Sequence, residues 1–264
     1  MKPPKILTFD VETAPIKAYV WALFDQNIGV DFIETDWTIL SWAAKWLGKR
    51  EVMYQGAGGR GVGKVRDDKA LAKGIRDLLD DADIVIAQNG KRFDVRKVNA
   101  RLIQHGIAPP SPYRVIDTYQ VSKKYFAFSS QKLAHTSAIL TDTPKDRHRR
   151  FPGFELWVEC LADNPLAWAD MKTYNTRDVR ATEKVYIRQR PWIDNHPNIG
   201  VFDPSDRPFC PKCGSDKVNV GGTRCSVKQQ GAYKRYVCMA CGGWSRGKIM
   251  QLPLEKRRSL LVPE

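Results

Sequence analysis

The chain has 264 residues and a mass of 30.0 kDa, enough to bury one large core and carry a smaller second unit. Its 42% hydrophobic and 10% aromatic content is that of a globular protein. No apolar run approaches the ~20 residues of a transmembrane helix, which excludes a membrane-spanning helix. A formal charge of +14 points to a polyanionic partner. Nucleic acid fits better than an anionic membrane, because the basic residues are scattered and build no amphipathic basic helix. The start, Met1-Lys2-Pro3-Pro4-Lys5, leads directly into a strand with no leader-like segment, so a cytoplasmic location is expected.

In chain order, Ile6 to Glu12 alternates between prolines and reads as a strand. Thr38 to Trp46 and Glu51 to Gln55, joined through Gly48-Lys49-Arg50, predict an antiparallel hairpin. Leu71, Ile75, Leu78 and Leu79 recur at helical spacing between Lys69 and Ala82. Ile84 to Ala87 is a short apolar run suited to a buried strand, and a helix is expected from Asp94 to His105, stopping at Gly106. Arg114 to Thr118 predicts another strand, and Gln120 to about Ile193 looks mainly helical. That order predicts an α/β domain: a mixed β-sheet flanked by helices over residues 1–193. The proline-rich stretch 194–208 reads as a linker, and 209–264 as a small second domain with a basic tail.

Three acidic pieces stand out. Asp10-Val11-Glu12 closes the first strand, where residues two apart share a face, so both carboxylates project together. Like charges at the edge of a buried sheet call for a compensating cation, although an exposed strand end is an ordinary alternative. Asn89-Gly90-Lys91-Arg92-Phe93-Asp94 follows an apolar strand and opens a helix, where Asp94 can equally be a first-turn acid. Tyr174 and Asp178 stand four apart on one helical face, compatible with packing and a surface ion pair.

Taken together, the order and spacing resemble the DEDD superfamily of 3′→5′ exonucleases, the DnaQ-like branch of the RNase H-like fold. Asp10, Glu12 and Thr13 match its Asp-x-Glu-Thr motif. Asn89, Phe93 and Asp94 match the second motif, while Tyr174 and Asp178 match the Tyr-x-x-x-Asp of the tyrosine (DEDDy) subclass. Asp117-Thr118 and the helix expected within Ser130 to Leu140 are also family-like. The resemblance covers roughly residues 4 to 193; the glycine-rich stretch Ile28 to Gly63 departs from it and cannot be aligned residue by residue.

The resemblance implies an RNase H-like mixed sheet and two Mg²⁺ or Mn²⁺ ions held by Asp10, Glu12, Asp94 and Asp178. Asp10 would bridge both ions, Glu12 and Asp178 would hold the ion that activates water, and Asp94 would support the second. Tyr174 would orient the attacking water. Four carboxylates suit such hard ions better than a histidine cluster does. DNA with a free 3′ end is the expected substrate. Asn89 and Phe93 are expected near the terminal nucleotide, with packing under the helix an equal option for Phe93. Thr13 is expected to meet that nucleotide through its backbone.

Gly58 to Val65 matches the start of a phosphate-binding P-loop, but Val65 stands where Ser or Thr would reach Mg²⁺. The better reading is a glycine-rich loop whose Arg60 and Lys64 brush the substrate backbone. The basic run Lys145 to Arg150 either lines the substrate channel or is a solvated loop.

Six cysteines argue against a disulfide framework. Cys210, Cys213, Cys238 and Cys241 form two C-x-x-C pairs with glycines just after them, which resembles a zinc ribbon holding one structural Zn²⁺. Cys160 is expected in the core and Cys225 as a bystander. Basic residues interleaved with Tyr233, Tyr236 and Trp244 suit phosphate contact and base stacking, against a plain solvated basic face or a protein-binding ribbon. Two rivals to the DNA exonuclease remain: an exoribonuclease, and a non-catalytic nucleic-acid-binding or recruiting protein centred on the ribbon.

Overall fold

The computed structural model describes residues 2–143, 150–228 and 231–261, so most of the basic run Lys145 to Arg150 lies outside the described residues. Two compact units emerge, one built on Lys5–Tyr186 and the other on the chain from Ile187 onward. Among the described residues no helix is long and apolar enough to cross a membrane.

The first unit runs in order through β1 (Ile6–Thr13), β2 (Lys17–Ala18), β3 (Ile33–Thr35), β4 (Ile39–Trp46) and β5 (Met53–Gly56). Helix α1 (Lys69–Asp80), β6 (Ile84–Ala87), α2 (Asp94–Gln104) and β7 (Arg114–Asp117) follow. Four helices come next: α3 (Thr118–Tyr125), α4 (Leu133–Leu140), α5 (Glu155–Leu161) and the long α6 (Pro165–Gln189). Five strands form one mixed sheet in the order β5-β4-β1-β6-β7, flanked by helices; β2 and β3 pair separately. The expected hairpin is β4–β5, antiparallel with Ser41 opposite Gly56. Among the described residues, the region expected to be mainly helical holds four helices, with breaks at 126–132 and 141–143.

The middle strand, β1, decides where the site lies. Leu7 and Phe9 are wholly buried in the main core beside Ile39, Leu71, Ile75 and Val85, as a strand with neighbours on both sides requires. It pairs antiparallel with β4 along its whole length, but its parallel pairing with β6 covers only Ile6 to Thr8. Beyond Thr8 the strand outruns β6, and its edge lies open where Asp10 and Glu12 stand. Helix α1 shows the other side of the packing: Leu71, Ala72, Ile75 and Leu79 are its buried positions, one stripe at helical spacing.

Asp68, just before α1, is buried and its carboxylate does not cap that helix. It accepts from the Ile39 N–H at 2.8 Å, from Arg101 Nε and Nη2 at 2.7 Å each, and lies 2.6 Å from His105 Nε2. One side chain thereby ties β4, α1 and α2 together. Burial alone would raise its pKa, but the Arg101 pair, the Ile39 N–H and His105 outweigh it and hold the carboxyl below its ordinary 3.8. That stabilisation is full above the unfolded pKa and is lost as pH falls below 3.8 through the lower folded value. Asp68→Ala should cost ~3–5 kcal/mol, the penalty for removing one partner of a buried ion pair. Urea unfolding at pH 7 reads the loss, and the variant should lack part of the wild type's further destabilisation below pH 4.

In the second unit, β8 (Val218–Val220), β9 (Ser226–Lys228), β10 (Gly231–Cys238) and β11 (Trp244–Met250) form a small antiparallel sheet, followed by a short helix over Leu254–Arg258. The segment leading into it is tied down rather than loose. The Ile199 N–H donates to the Pro211 carbonyl at 2.9 Å, and Lys212 Nζ donates to the Pro191 carbonyl at 2.5 Å.

Candidate active site and metal centre

The carboxylates of Asp10, Glu12 and Asp178 offer oxygens that all lie within 4.8 Å of one another. Asp10 and Glu12 come from the open end of β1, and Asp178 comes from α6, where it is buried. With Gln88, Asn89, Arg92, Phe93, Asp94, Tyr119 and Lys132 they line a cavity of about 550 Å³. Arg92 and Lys132 bring positive charge to a site otherwise dominated by carboxylates.

Asp94 belongs to this cavity but not to the close cluster. It is the first residue of α2, and its Oδ1 accepts the Val11 N–H at 3.0 Å. That N–H lies past the end of the β6 pairing and would otherwise be an unmatched donor in the core. The carboxylate thus stands in for the missing strand. Burial, helped by the charge of Asp117 and opposed by the Val11 N–H, pushes the Asp94 carboxyl up to about 7.

The turn that delivers Asp94 is built on Asp117 at the end of β7. Its carboxylate accepts from the N–H groups of Asn89 at 2.9 Å and Lys91 at 3.1 Å, and caps α3 through Tyr119 and Gln120. Asn89 adopts φ 60°, the left-handed conformation that asparagine tolerates best after glycine. At Gly90 any Cβ would collide with the Ala87 side chain, so the turn can pass only as glycine.

Asn175 was not singled out from the sequence. It is completely buried, donates from Nδ2 to Asp10 Oδ2 at 2.6 Å, and accepts at Oδ1 from Ser41 Oγ at 3.1 Å. It fixes the rotamer of Asp10 from the same helix that carries Asp178. Its one sequence signal was its place inside the Tyr174 to Asp178 motif. Arg92, Lys132, Tyr119 and Gln88 were likewise passed over, because neither spacing nor composition assigns a lone polar residue to a cavity.

The remaining predicted contacts fall differently. Tyr174, one turn before Asp178, lies in the hydrophobic core with its ring edge-on to Trp157 at 5.8 Å, and it is not among the residues lining the cavity. Thr13 sits at a register shift after Glu12 and faces a separate hollow with Pro15, Phe154 and Trp157. Phe93 is on the cavity rim, 38% exposed, with Lys97 Nζ 5.7 Å from its ring. Arg60 Nη1 donates to the Asp67 carbonyl at 2.9 Å, Lys64 is exposed, and neither lines the cavity. In the glycine-rich loop, the N–H groups of Gly59 and Gly61 each donate to the Asp163 carboxylate at 2.8 Å. Two of the backbone donors that a phosphate would use there are thereby occupied, which weighs against the P-loop reading.

In the second unit the sulfurs of Cys210, Cys213, Cys238 and Cys241 also lie within 4.8 Å of one another. Sγ separations are 3.7 Å for Cys210–Cys241 and 3.5 Å for Cys213–Cys238. Four sulfurs bonded at about 2.3 Å to a central tetrahedral ion stand about 3.8 Å apart, so the set fits one metal. At Cys238 burial raises the thiol pKa, but the N–H groups of Cys241 and Ala240, together with hydrogen bonds to the Cys213 and Cys241 thiols, more than offset it and bring it to about 7. Cys160 is a buried core thiol and Cys225 is exposed, both outside this cluster.

A mixed sheet flanked by helices, with paired carboxylates at the open end of its central strand, defines an RNase H-like α/β domain. A family model described as the RNase_H superfamily matches residues 61–189, a span that contains Asp94 and Asp178 and stops short of β1. No curated protein matches the chain in sequence. Among solved structures, the chain is similar to the family B DNA polymerase from the hyperthermophilic archaeon Pyrobaculum calidifontis, with a TM-score of 0.54 and 17% identity. The likeness covers 72% of this chain and 25% of the polymerase, so it spans about a quarter of that protein's length. At that identity it speaks to the fold.

If Asn175 holds Asp10 in place, Asn175→Ala should weaken Mn²⁺ binding ~10–100-fold, the usual cost of losing such an outer contact, with the fold retained; titration calorimetry on the purified protein reads it. Metal-free protein has a pH dependence of its own. A carboxyl raised from 3.8 to about 7 favours the protonated folded state, so its contribution is full below pH 3.8 and lost as pH rises through 7. Added Mn²⁺ should therefore raise the melting temperature more at pH 8 than at pH 5.5, and Asp94→Asn should flatten that difference.

Proposed function

We propose that the protein is a metal-dependent 3′→5′ exonuclease acting on DNA, and that Asp10, Glu12, Asp94 and Asp178 hold two Mg²⁺ or Mn²⁺ ions. The observation that carries this reading is the convergence of Asp10, Glu12 and Asp178 within 4.8 Å at one end of an RNase H-like sheet. The donor set is all carboxylate oxygen, the chemistry that hard divalent ions select. When bound, such ions orient an attacking water and neutralise charge on the phosphoryl oxygens.

The protein's own groups do the rest. Asn175 keeps an Asp10 oxygen aimed at the cluster. Arg92 and Lys132 stand where a phosphate would approach, and Phe93 offers an exposed ring at the rim for the terminal base or sugar. Tyr174 is proposed, from its match to the tyrosine subclass, to orient the attacking water. Its packing against Trp157 supports a structural role as well, and Tyr174→Phe separates the two because it keeps the ring. Polarity and preference for DNA rest on the resemblance of the three motifs. Cys210, Cys213, Cys238 and Cys241 are proposed to bind one structural Zn²⁺, and the ribbon so formed to help hold the nucleic acid. The protein is proposed to act in the cytoplasm.

The test is 5′-labelled single-stranded DNA incubated with Mg²⁺ or Mn²⁺. A ladder shortening from the 3′ end, abolished by Asp10→Ala or Asp178→Ala with the fold intact, is expected. Robust cleavage by either variant sinks the assignment, and a matched RNA cut faster than DNA reverses the substrate preference. Tyr174→Phe should slow the reaction with the fold retained; a wild-type rate removes its role in orienting water.

A further inference from the structure

The second unit carries a groove that the carboxylate site does not use. It has a volume of about 450 Å³, and its walls include Trp192, Lys228, Arg235, Trp244, Arg246 and Lys248. We infer that this groove, lined by Arg235, Arg246 and Lys248 with Trp244 among them, is a binding track for single-stranded nucleic acid. The inference deepens the proposed role of the ribbon and rests on it, but does not depend on cleavage at the carboxylates.

Strand register is the first argument. Arg235 is directly opposite Arg246, and Val237 is opposite Trp244. Cross-strand partners share a face, as do residues two apart, so Arg235, Trp244 and Arg246 project the same way. The register shifts beyond Arg246, and Lys248 joins them as a residue lining the same groove. Like charges placed directly opposite each other destabilise a sheet unless an anion lies between them. Lys228 adds an exposed cation from β9. Among the described lining residues Asp194 is the one acid, far too little to neutralise the wall.

The second argument is aromatic. Trp192 and Trp244 are 61% and 53% exposed, a costly position for the largest apolar side chain unless something covers it. The Arg235 guanidinium lies 5.3 Å from the Trp244 ring and Arg246 lies 4.2 Å from Tyr233, so the cations brace the rings. A Cβ at Gly221 would collide with the Trp244 ring, and only glycine lets the indole lie against that turn. Phosphate-binding cations beside a braced, half-open indole match a strand whose bases are free to stack; a duplex hides its base faces.

The test uses the full-length, zinc-loaded chain as Asp10→Ala, to prevent cleavage, and the anisotropy of labelled DNA and RNA 20-mers without added Mg²⁺ or Mn²⁺. Adding Arg246→Glu with Lys248→Glu should weaken binding at least 10-fold and lower the slope of log affinity against log salt by about 1.4, two lost contacts at ~0.7 each. Separately, Trp244→Ala should weaken single-strand binding roughly 5- to 150-fold and blunt-duplex binding far less. Both changed residues of the charge pair are exposed, and bound zinc measured at one per chain verifies the fold; Arg246→Gln with Lys248→Gln is the milder second variant. Unchanged affinity and salt slope in both charge variants overturn the proposal. Equal loss on duplex and single strand overturns the single-strand assignment. Comparing the DNA and RNA 20-mers shows which sugar the track accepts. Cleavage by the Asp10-intact wild type against Asp10→Ala tests the exonuclease reading by itself, and binding in the Asp10→Ala background tests the groove by itself, so the two failures are distinguishable.

Discussion

Bringing like charges together is the constraint on which the rest of the first unit depends. Three carboxylates within 4.8 Å repel one another, and a fourth is buried beside them. No local preference of the chain assembles them. The fold does so because a buried β1 is longer than its parallel neighbour, leaving an open edge to which α2 and α6 each bring an acid. The hydrogen bond from Asn175 to Asp10 and that from Val11 to Asp94 make each arrival specific. Such an arrangement is costly on its own terms and becomes favourable with divalent cations.

Supports of the site are themselves acidic side chains given other duties. Asp117 satisfies backbone donors on two segments, Asp163 fills the amide cradle of the glycine-rich loop, and Asp68 clamps three elements through Ile39, Arg101 and His105. Each supplies an anion where backbone N–H groups or a guanidinium would otherwise lack an acceptor. A protein of net charge +14 therefore uses part of its scarce acid internally, leaving its cations for the surface. The second unit shows the outcome, with Arg235 and Arg246 facing each other across the β10–β11 pair of its four-stranded sheet.

The two units solve stability differently. The first has a continuous core in which Leu7, Phe9, Ile39 and Leu71 are sealed from water. Among the described residues of the second, the buried apolar side chains are Ile193, Ile199, Cys210 and Cys238, and a metal held by the four sulfurs, as proposed, would take the place of a core. Its sheet remains free to present polar and aromatic side chains on its outer face.

The sequence by itself determined β1, β4 to β7, α1 and α2 of the first unit, since Ile6 to Glu12, Leu71 to Leu79 and Ile84 to Ala87 carry clear patterns that local sterics set; β2, β3 and the division of the later helices were not legible in it. It also determined the motif positions Asp10, Glu12, Asp94 and Asp178 and the four cysteines, whose chemistry is written in residue type and spacing. Only the tertiary structure decided which of these meet. Asp94 faces the cavity yet bonds to Val11; Tyr174 packs on Trp157; Thr13, Arg60 and Lys64 stand away from the carboxylates; Asn175, Arg92 and Lys132 stand close. Those outcomes depend on contacts between residues up to 165 positions apart, such as Asn175 and Asp10. A one-dimensional pattern records which face of an element is apolar, but not which polar group from another element will be the nearest acceptor or donor.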